Sequence, residues 1–136
     1  MRDAILQDKR ILVIEDIEEN MRLCQAILKL EGAVVWPAFN ALDGIALAKS
    51  GQPDLILMDI QMPDMDGLTA TRLLRADPQT SAIPIVAVTA SVMPDDLRET
   101  IEAGCDGYIT KPLEPSQFAR QLLPYLKTDG DANADA

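Results

Sequence analysis

The run Leu55-Ile56-Leu57-Met58 is apolar at every position and ends abruptly in Asp59. A strand wetted on one face alternates apolar and polar residues. A run without alternation is covered on both faces, as in a parallel sheet held between helices. The same form recurs along the chain. Arg10-Ile11-Leu12-Val13-Ile14 stops at Glu15-Asp16, Ile85-Val86-Ala87-Val88 follows Pro84 and stops at Thr89, and the shorter Tyr108-Ile109-Thr110 stops at Lys111-Pro112. One more short strand is expected over residues 33–36.

Helical spacing fills the intervals. Ile17, Met21, Cys24, Ile27 and Leu28 form one stripe, closed by Gly32. Asn40 is placed to cap a second helix, with Asp43 three residues on. Its expected inner face is Leu42, Ile45, Ala46 and Ala48, and Gly51-Gln52-Pro53 ends it. A third helix over residues 68–76 is expected to turn Leu73 and Leu74 inward. A fourth starts near Pro94, with Leu97, Ile101 and Cys105 inward, and ends at Gly104 or Gly107. A last helix over residues 115–127 carries Phe118, Leu122, Tyr125 and Leu126. Strand and helix thus alternate as (βα)5, an α/β chain with a doubly wound, parallel, five-stranded sheet.

At 136 residues the chain is the size of one domain and large enough to bury a core without staples. The parts expected are a short N-terminal extension (1–9), the α/β domain (10–127) and an acidic, disordered tail (128–136). Cys24 and Cys105 lack a C-x-x-C spacing and read as reduced, buried residues. The N-terminus has no apolar core segment of a signal peptide, and no run approaches membrane length, so a cytoplasmic location and no membrane partner are expected. The net charge of −10 offers no basic footprint for nucleic acid. Histidine is absent, which removes His/Cys zinc sites and Ser-His-Asp triads. No G-x-G-x-x-G or G-K-[ST] follows the first strand, so dinucleotide or nucleotide binding has no support.

In an open α/β sheet, ligands bind outside the carboxyl ends of the strands. This sequence places Glu15, Asp16, Asp59, Thr89 and Lys111 there. Carboxylates forced together need a cation, and a hard one with oxygen ligands, Mg2+, fits best. Its role would be to neutralise phosphoryl oxygens during transfer. Asp59, short and deepest in its apolar run, is the natural nucleophile. Thr89 and Lys111 suit the remaining phosphoryl oxygens. Blander roles exist for each: a turn cap for Asp59, an acidic helix start for the Glu15-Asp16 segment, a cap of the fourth helix or a partner for a backbone group for Thr89, a solvated lysine for Lys111 and a core aromatic for Tyr108. A small metal-dependent phosphatase would use similar carboxylates. One of the haloacid-dehalogenase sort would need a second carboxylate two residues after the nucleophile, where this chain has Gln61.

Asp59 within LILMDIQMPDMDG, the acidic pair within ILVIEDIEEN, Thr89 within VAVTAS and Lys111 within YITKPL together resemble the receiver domains of bacterial response regulators. Single-domain regulators of the cell-division type share the Glu-Asp pair and the Met-Asp-Ile-Gln stretch. The resemblance covers residues 10–127 and implies the flavodoxin-like strand order 2-1-3-4-5. It implies Asp59 as phospho-acceptor and Asp16, Asp59 and the Gln61 carbonyl as Mg2+ ligands, with Glu15 holding a metal-bound water. Many relatives have Asp at the place of Glu15. Thr89 and Tyr108 would form a switch pair, Lys111 would bind the phosphoryl group, and a cis bond would precede Pro112. The implied partners are a sensor histidine kinase or histidine phosphotransfer protein and a downstream protein docking on the fourth helix, fifth strand and fifth helix. A receiver cut from a hybrid histidine kinase would read the same way.

Overall fold

Each apolar run becomes a strand and each amphipathic interval a helix. The computed structural model describes residues 4–63 and 65–126. In chain order the elements are β1 (Arg10–Ile14), α1 (Glu18–Leu30), β2 (Val34–Ala38), α2 (Ala41–Gly51), β3 (Leu55–Asp59), α3 (Gly67–Ala76), β4 (Ile85–Thr89), α4 (Pro94–Ala103), β5 (Gly107–Thr110) and α5 (Phe118–Leu122), followed by a 3-10 turn (Leu123–Tyr125). All strand pairs are parallel and the sheet order is β2-β1-β3-β4-β5. This is the doubly wound, flavodoxin-like order expected. The stretches called an acidic tail (128–136) and the start of the N-terminal extension lie outside the described residues.

Alternate residues of each strand feed two cores. Ile11, Val13, Leu57, Val86 and Val88 pack with Met21, Cys24, Leu28, Phe118 and Leu122 of α1 and α5. Leu12, Ile14, Ile56, Met58 and Ala87 pack with Ala41, Ala48, Ala70 and Leu74 of α2 and α3. Every residue of β3 is buried. Its four apolar side chains each contribute about 1.5–3 kcal/mol on burial. Together they outweigh the several kcal/mol lost when one carboxylate is drawn into the protein at the strand's end.

Local signals set the helix ends. Asn40 caps α2 by accepting from the Asp43 N–H at 2.8 Å, and its amide donates to the Asp43 carboxylate at 2.9 Å. Asp66 caps α3 by accepting from Thr69 N–H at 2.8 Å. Pro94 opens α4 and Gly104, at φ 118°, closes it. Gln52 ends α2 in the left-handed region, at φ 51°.

Several inner faces differ from the expected ones. Ile17, Leu42, Leu73 and Ile101 are exposed, and Ala46 is exposed with them. α2 instead buries Ala41, Gly44 and Ala48, and α3 buries Gly67, Ala70, Thr71 and Leu74. The small residues let these helices lie close to the sheet: a Cβ on Gly44 would stand 2.4 Å from Ile14 Cδ1. β2 runs to Ala38 and includes Pro37, tolerated because β2 is the sheet edge. α5 begins only at Phe118, and Pro124 falls in the 3-10 turn. Leu6, ahead of β1, is fully buried, and its N–H donates to the Glu31 carbonyl at 2.9 Å. Cys24 and Cys105 are free and buried, as expected.

Candidate functional site

Parallel pairing delivers the polar strand ends to one edge of the sheet. Ile14 pairs with Met58, Asp59 with Val88 and Thr89 with Thr110, so Glu15, Asp59, Thr89 and Lys111 emerge side by side. Gly67 makes room for the start of α3 against the end of β3. Its N–H donates to the Ile60 carbonyl at 2.9 Å, and a Cβ there would lie 2.3 Å from the Asp59 carbonyl oxygen.

Three carboxylates meet at this edge. Glu15, Asp16 and Asp59 each bring an oxygen within 4.8 Å of the others. Asp59 is only 3% exposed, Glu15 is buried and Asp16 half-buried. Asp59 Oδ1 accepts from Gln61 N–H at 3.1 Å and from Lys111 Nζ at 3.5 Å. Glu15 Oε2 accepts from Ile17 N–H at 3.2 Å and its Oε1 from Lys111 Nζ at 3.5 Å. Burial, then the hydrogen bond with Asp59, holds the Glu15 carboxyl above its ordinary range, against the lowering pull of Ile17 N–H and Lys111. Asp16 Oδ1 and Asp59 Oδ2 are buried and receive no hydrogen bond. Two buried oxygens without donors, in a cluster of three carboxylates balanced by one ammonium, fit a hard divalent cation.

The remaining residues take distinct places. Lys111 is not a solvated lysine: its side chain bridges Glu15 and Asp59. Its N–H donates to the Thr89 carbonyl at 2.8 Å, and the Lys111-Pro112 bond is cis. Thr89 is buried, and its Oγ1 accepts from Ser91 N–H at 3.1 Å, which is the backbone-satisfying role considered for it. Gln61 is at the exposed rim, tied to Asp59 through its N–H. Tyr108 is 41% exposed on β5 and so is not a core aromatic. Met62 is buried beside Asp16, where Phe39, Pro63 and Met65 line a small depression.

Two features escaped the sequence reading. One is the dependence on Gly67, for which the Asp-Gly of the loop was the available signal. The other is an apolar cavity of about 380 Å³ next to the carboxylates, bounded by α1, the sheet and the loop after β5. No periodicity announces a void between three elements.

Comparison with known proteins agrees with this geometry. The family model described as the response regulator receiver domain matches residues 11–123. The polar-differentiation response regulator DivK of Brucella anthropi is 38% identical over 124 residues, which span 91% of this chain and 98% of that protein. Its counterpart in Brucella ovis is 37% identical over the same span. The receiver domain of a Pseudomonas aeruginosa sensor histidine kinase, solved with magnesium in its active-site cleft, superposes with a TM-score of 0.80 at 30% identity, covering 87% of this chain and 97% of that one. Chemotaxis protein CheY4 of Vibrio cholerae shares the fold, with a TM-score of 0.83 at 24% identity over 88% of this chain and 99% of that one. Since that model spans all five strands and the relatives align nearly end to end, the chain belongs to the response-regulator receiver domains.

Proposed function

We propose that this receiver accepts a phosphoryl group on Asp59 and signals by changing the surface it offers to another protein. The observation that carries the reading is Asp59 itself. It lies buried at the end of an apolar strand, with Oδ2 free of protein donors and Lys111 beside Oδ1. The donor is a phosphorylated histidine of a sensor kinase or phosphotransfer protein. An Asp59 oxygen attacks phosphorus, the new O–P bond forms as the P–N bond breaks, and the imidazole departs. Lys111 follows the phosphoryl oxygens as a point charge, and the Thr89 hydroxyl donates to one of them.

Asp16 and Asp59 hold the magnesium ion in this reading, with the Gln61 carbonyl and a water on Glu15 completing the set on the family pattern. Bound there, the ion neutralises charge on the transferring group. The output surface is α4, β5 and α5. Val92, Met93, Ile101 and Tyr108 are exposed apolar or aromatic residues on or beside α4 and β5, as a docking face requires. Among the described residues no helix is long and apolar enough to cross a membrane.

The test uses a small acyl phosphate donor with magnesium. The intact protein should gain one phosphoryl group, and borohydride trapping with peptide mapping should place it on Asp59. Asp59→Asn should abolish the gain. Equal labelling of that variant would move the acceptor elsewhere.

A further inference from the structure

We propose that the apolar cavity beside the carboxylate cluster binds a small primary amine carrying a compact apolar body, and that this ligand competes with the divalent cation for Asp59. The cavity measures about 380 Å³ and is walled by Val13, Leu23, Cys24, Leu57, Val88 and Leu113. None of these side chains offers an oxygen to a hard cation or a strong donor to a phosphoryl group. An apolar void of this size offers water no partners, whereas a hydrocarbon body gains the full contact of its walls. Burial pushes the Cys24 thiol up to about 12, so this wall presents a neutral, unreactive surface.

One end of the same cavity is polar. Glu15, Asn20, Asp59 and Lys111 line it. Two carboxylates against one ammonium select a cation and reject an anion. Asp59 Oδ2 is buried without a donor, and Glu15 Oε1 accepts from Lys111 at 3.5 Å, the long limit of a hydrogen bond. An ammonium carries three donors. Asp59, Glu15 and Asn20 bring acceptor groups to the polar end of this apolar chamber. The volume lies near the lower end of small-molecule sites, which leaves room for the whole hydrocarbon body of a short alkylamine. Asp16 does not line the cavity, so the amine shares only Asp59 with the magnesium pair of residues.

The experiment titrates the metal-free full-length chain with methylamine, propylamine, hexylamine, hexanol and hexanoate, followed by backbone amide shifts. Hexylamine should saturate and move amides of residues 20–24, Lys111 and Leu113. Affinity should rise about fourfold per methylene until the chamber is full. Hexanol and hexanoate should bind at least about tenfold more weakly. Cys24→Leu pushes extra methyl groups into the chamber and should weaken hexylamine about tenfold while leaving labelling by the small phosphodonor intact. Leu113→Trp narrows it from the loop side and takes the place of Cys24→Leu if that variant does not fold. Magnesium should raise the apparent Kd for hexylamine. Equal affinity for methylamine and hexylamine overturns the proposal, since the chamber then contributes nothing. So does equal affinity for hexanol, for the narrowed variant, or in saturating magnesium. Any of these leaves the phospho-acceptor reading of Asp59 untouched, because labelling of Asp59 is measured separately.

Discussion

A side chain at Gly67 has nowhere to go: its first carbon would meet the Asp59 carbonyl oxygen at 2.3 Å and Ile60 Cα at 2.8 Å. Both obstacles are backbone, and they belong to the strand end that aims the acceptor carboxylate. Gly67→Ala should therefore destabilise the protein by about 1–3 kcal/mol, the usual range for overpacking. It should also slow labelling of Asp59, because relief comes only by shifting the β3 terminus or the start of α3. Chemical denaturation gives the first quantity and the rate of acyl phosphate formation the second. An alanine variant as stable as wild type would mean that this loop yields easily. Thr89 shows the opposite design. Its hydroxyl oxygen accepts from the Ser91 N–H, a neutral bond worth about 1 kcal/mol net, while among the described residues its O–H donates to no acceptor. A phosphoryl oxygen on Asp59 would offer that O–H a charged acceptor, a bond roughly twice as strong as a neutral one, which would draw Thr89 towards it.

Elements couple through such handovers. Thr89 ends β4 and pairs with Thr110, two residues beyond Tyr108 on β5, and the Lys111 N–H holds the Thr89 carbonyl. In the switch we propose, moving Thr89 towards the phosphoryl group would open space for the exposed Tyr108 ring. Thr89→Ala and Tyr108→Ala should still be labelled yet bind a partner less tightly when phosphorylated, by about 1 kcal/mol or fivefold. Partner affinity corrected for labelled fraction decides it, and equal affinity across wild type and both variants would sink the coupling. At the opposite end of the sheet Arg75 ties elements rigidly. It donates to the carbonyls of Gly104, Ser81 and Ile83 and to Asp106, at 2.8, 2.9, 2.6 and 2.9 Å. Arg75→Met should cost about 2–3 kcal/mol. Arg75→Lys should recover little, since a point charge cannot span four acceptors, and urea melts of the two variants would separate the fork geometry from the charge. The elements themselves were legible in the sequence because uninterrupted apolar runs and capping residues such as Asn40 are local signals. So were the strand-end carboxylates, since parallel topology sends every strand's end to one edge. The helix faces were not. Ile17, Leu42, Leu73 and Ile101 drew the inner stripe towards large side chains, whereas close packing on the sheet selects Ala41, Gly44, Ala70 and Thr71. Hydrophobicity ranks such small residues low, so their spacing is masked. Leu6, a lone apolar residue in the segment ahead of β1, has no period to reveal it.

Across the whole molecule, the cleft sets stability against function. Three carboxylates around one lysine leave excess negative charge in a buried edge, and only the folded state concentrates it. Glu15 makes the consequence measurable. Its folded pKa is raised, so the native state holds this proton more tightly than the unfolded chain. The group's contribution is then fully favourable below the unfolded value, about 4.5, and is lost as pH rises through the higher folded value. Asp77 runs the other way: Lys49 and the Gln79 N–H lower its pKa, so its contribution is present above the unfolded value and disappears in acid. Subtracting a Glu15→Gln curve from the wild-type curve cancels Asp77 and every other shared group. The metal-free variant should be the more stable protein at neutral pH, and its advantage should shrink as the pH falls towards the unfolded carboxylate value. Magnesium acts on the same ledger from the other side. Binding the native state alone, at a concentration one hundred times its Kd, it should stabilise wild type by about 2.7 kcal/mol. It should stabilise Asp16→Asn much less, because the anionic carboxylate of one of the two donor-free residues then becomes a neutral amide. Thermal melts of wild type, Glu15→Gln and Asp16→Asn, each over a pH series with and without magnesium, read all of these terms. A metal-free Glu15→Gln protein less stable than wild type at pH 7 would mean that Glu15 supports the fold through Ile17 and Lys111 more than its buried charge opposes it.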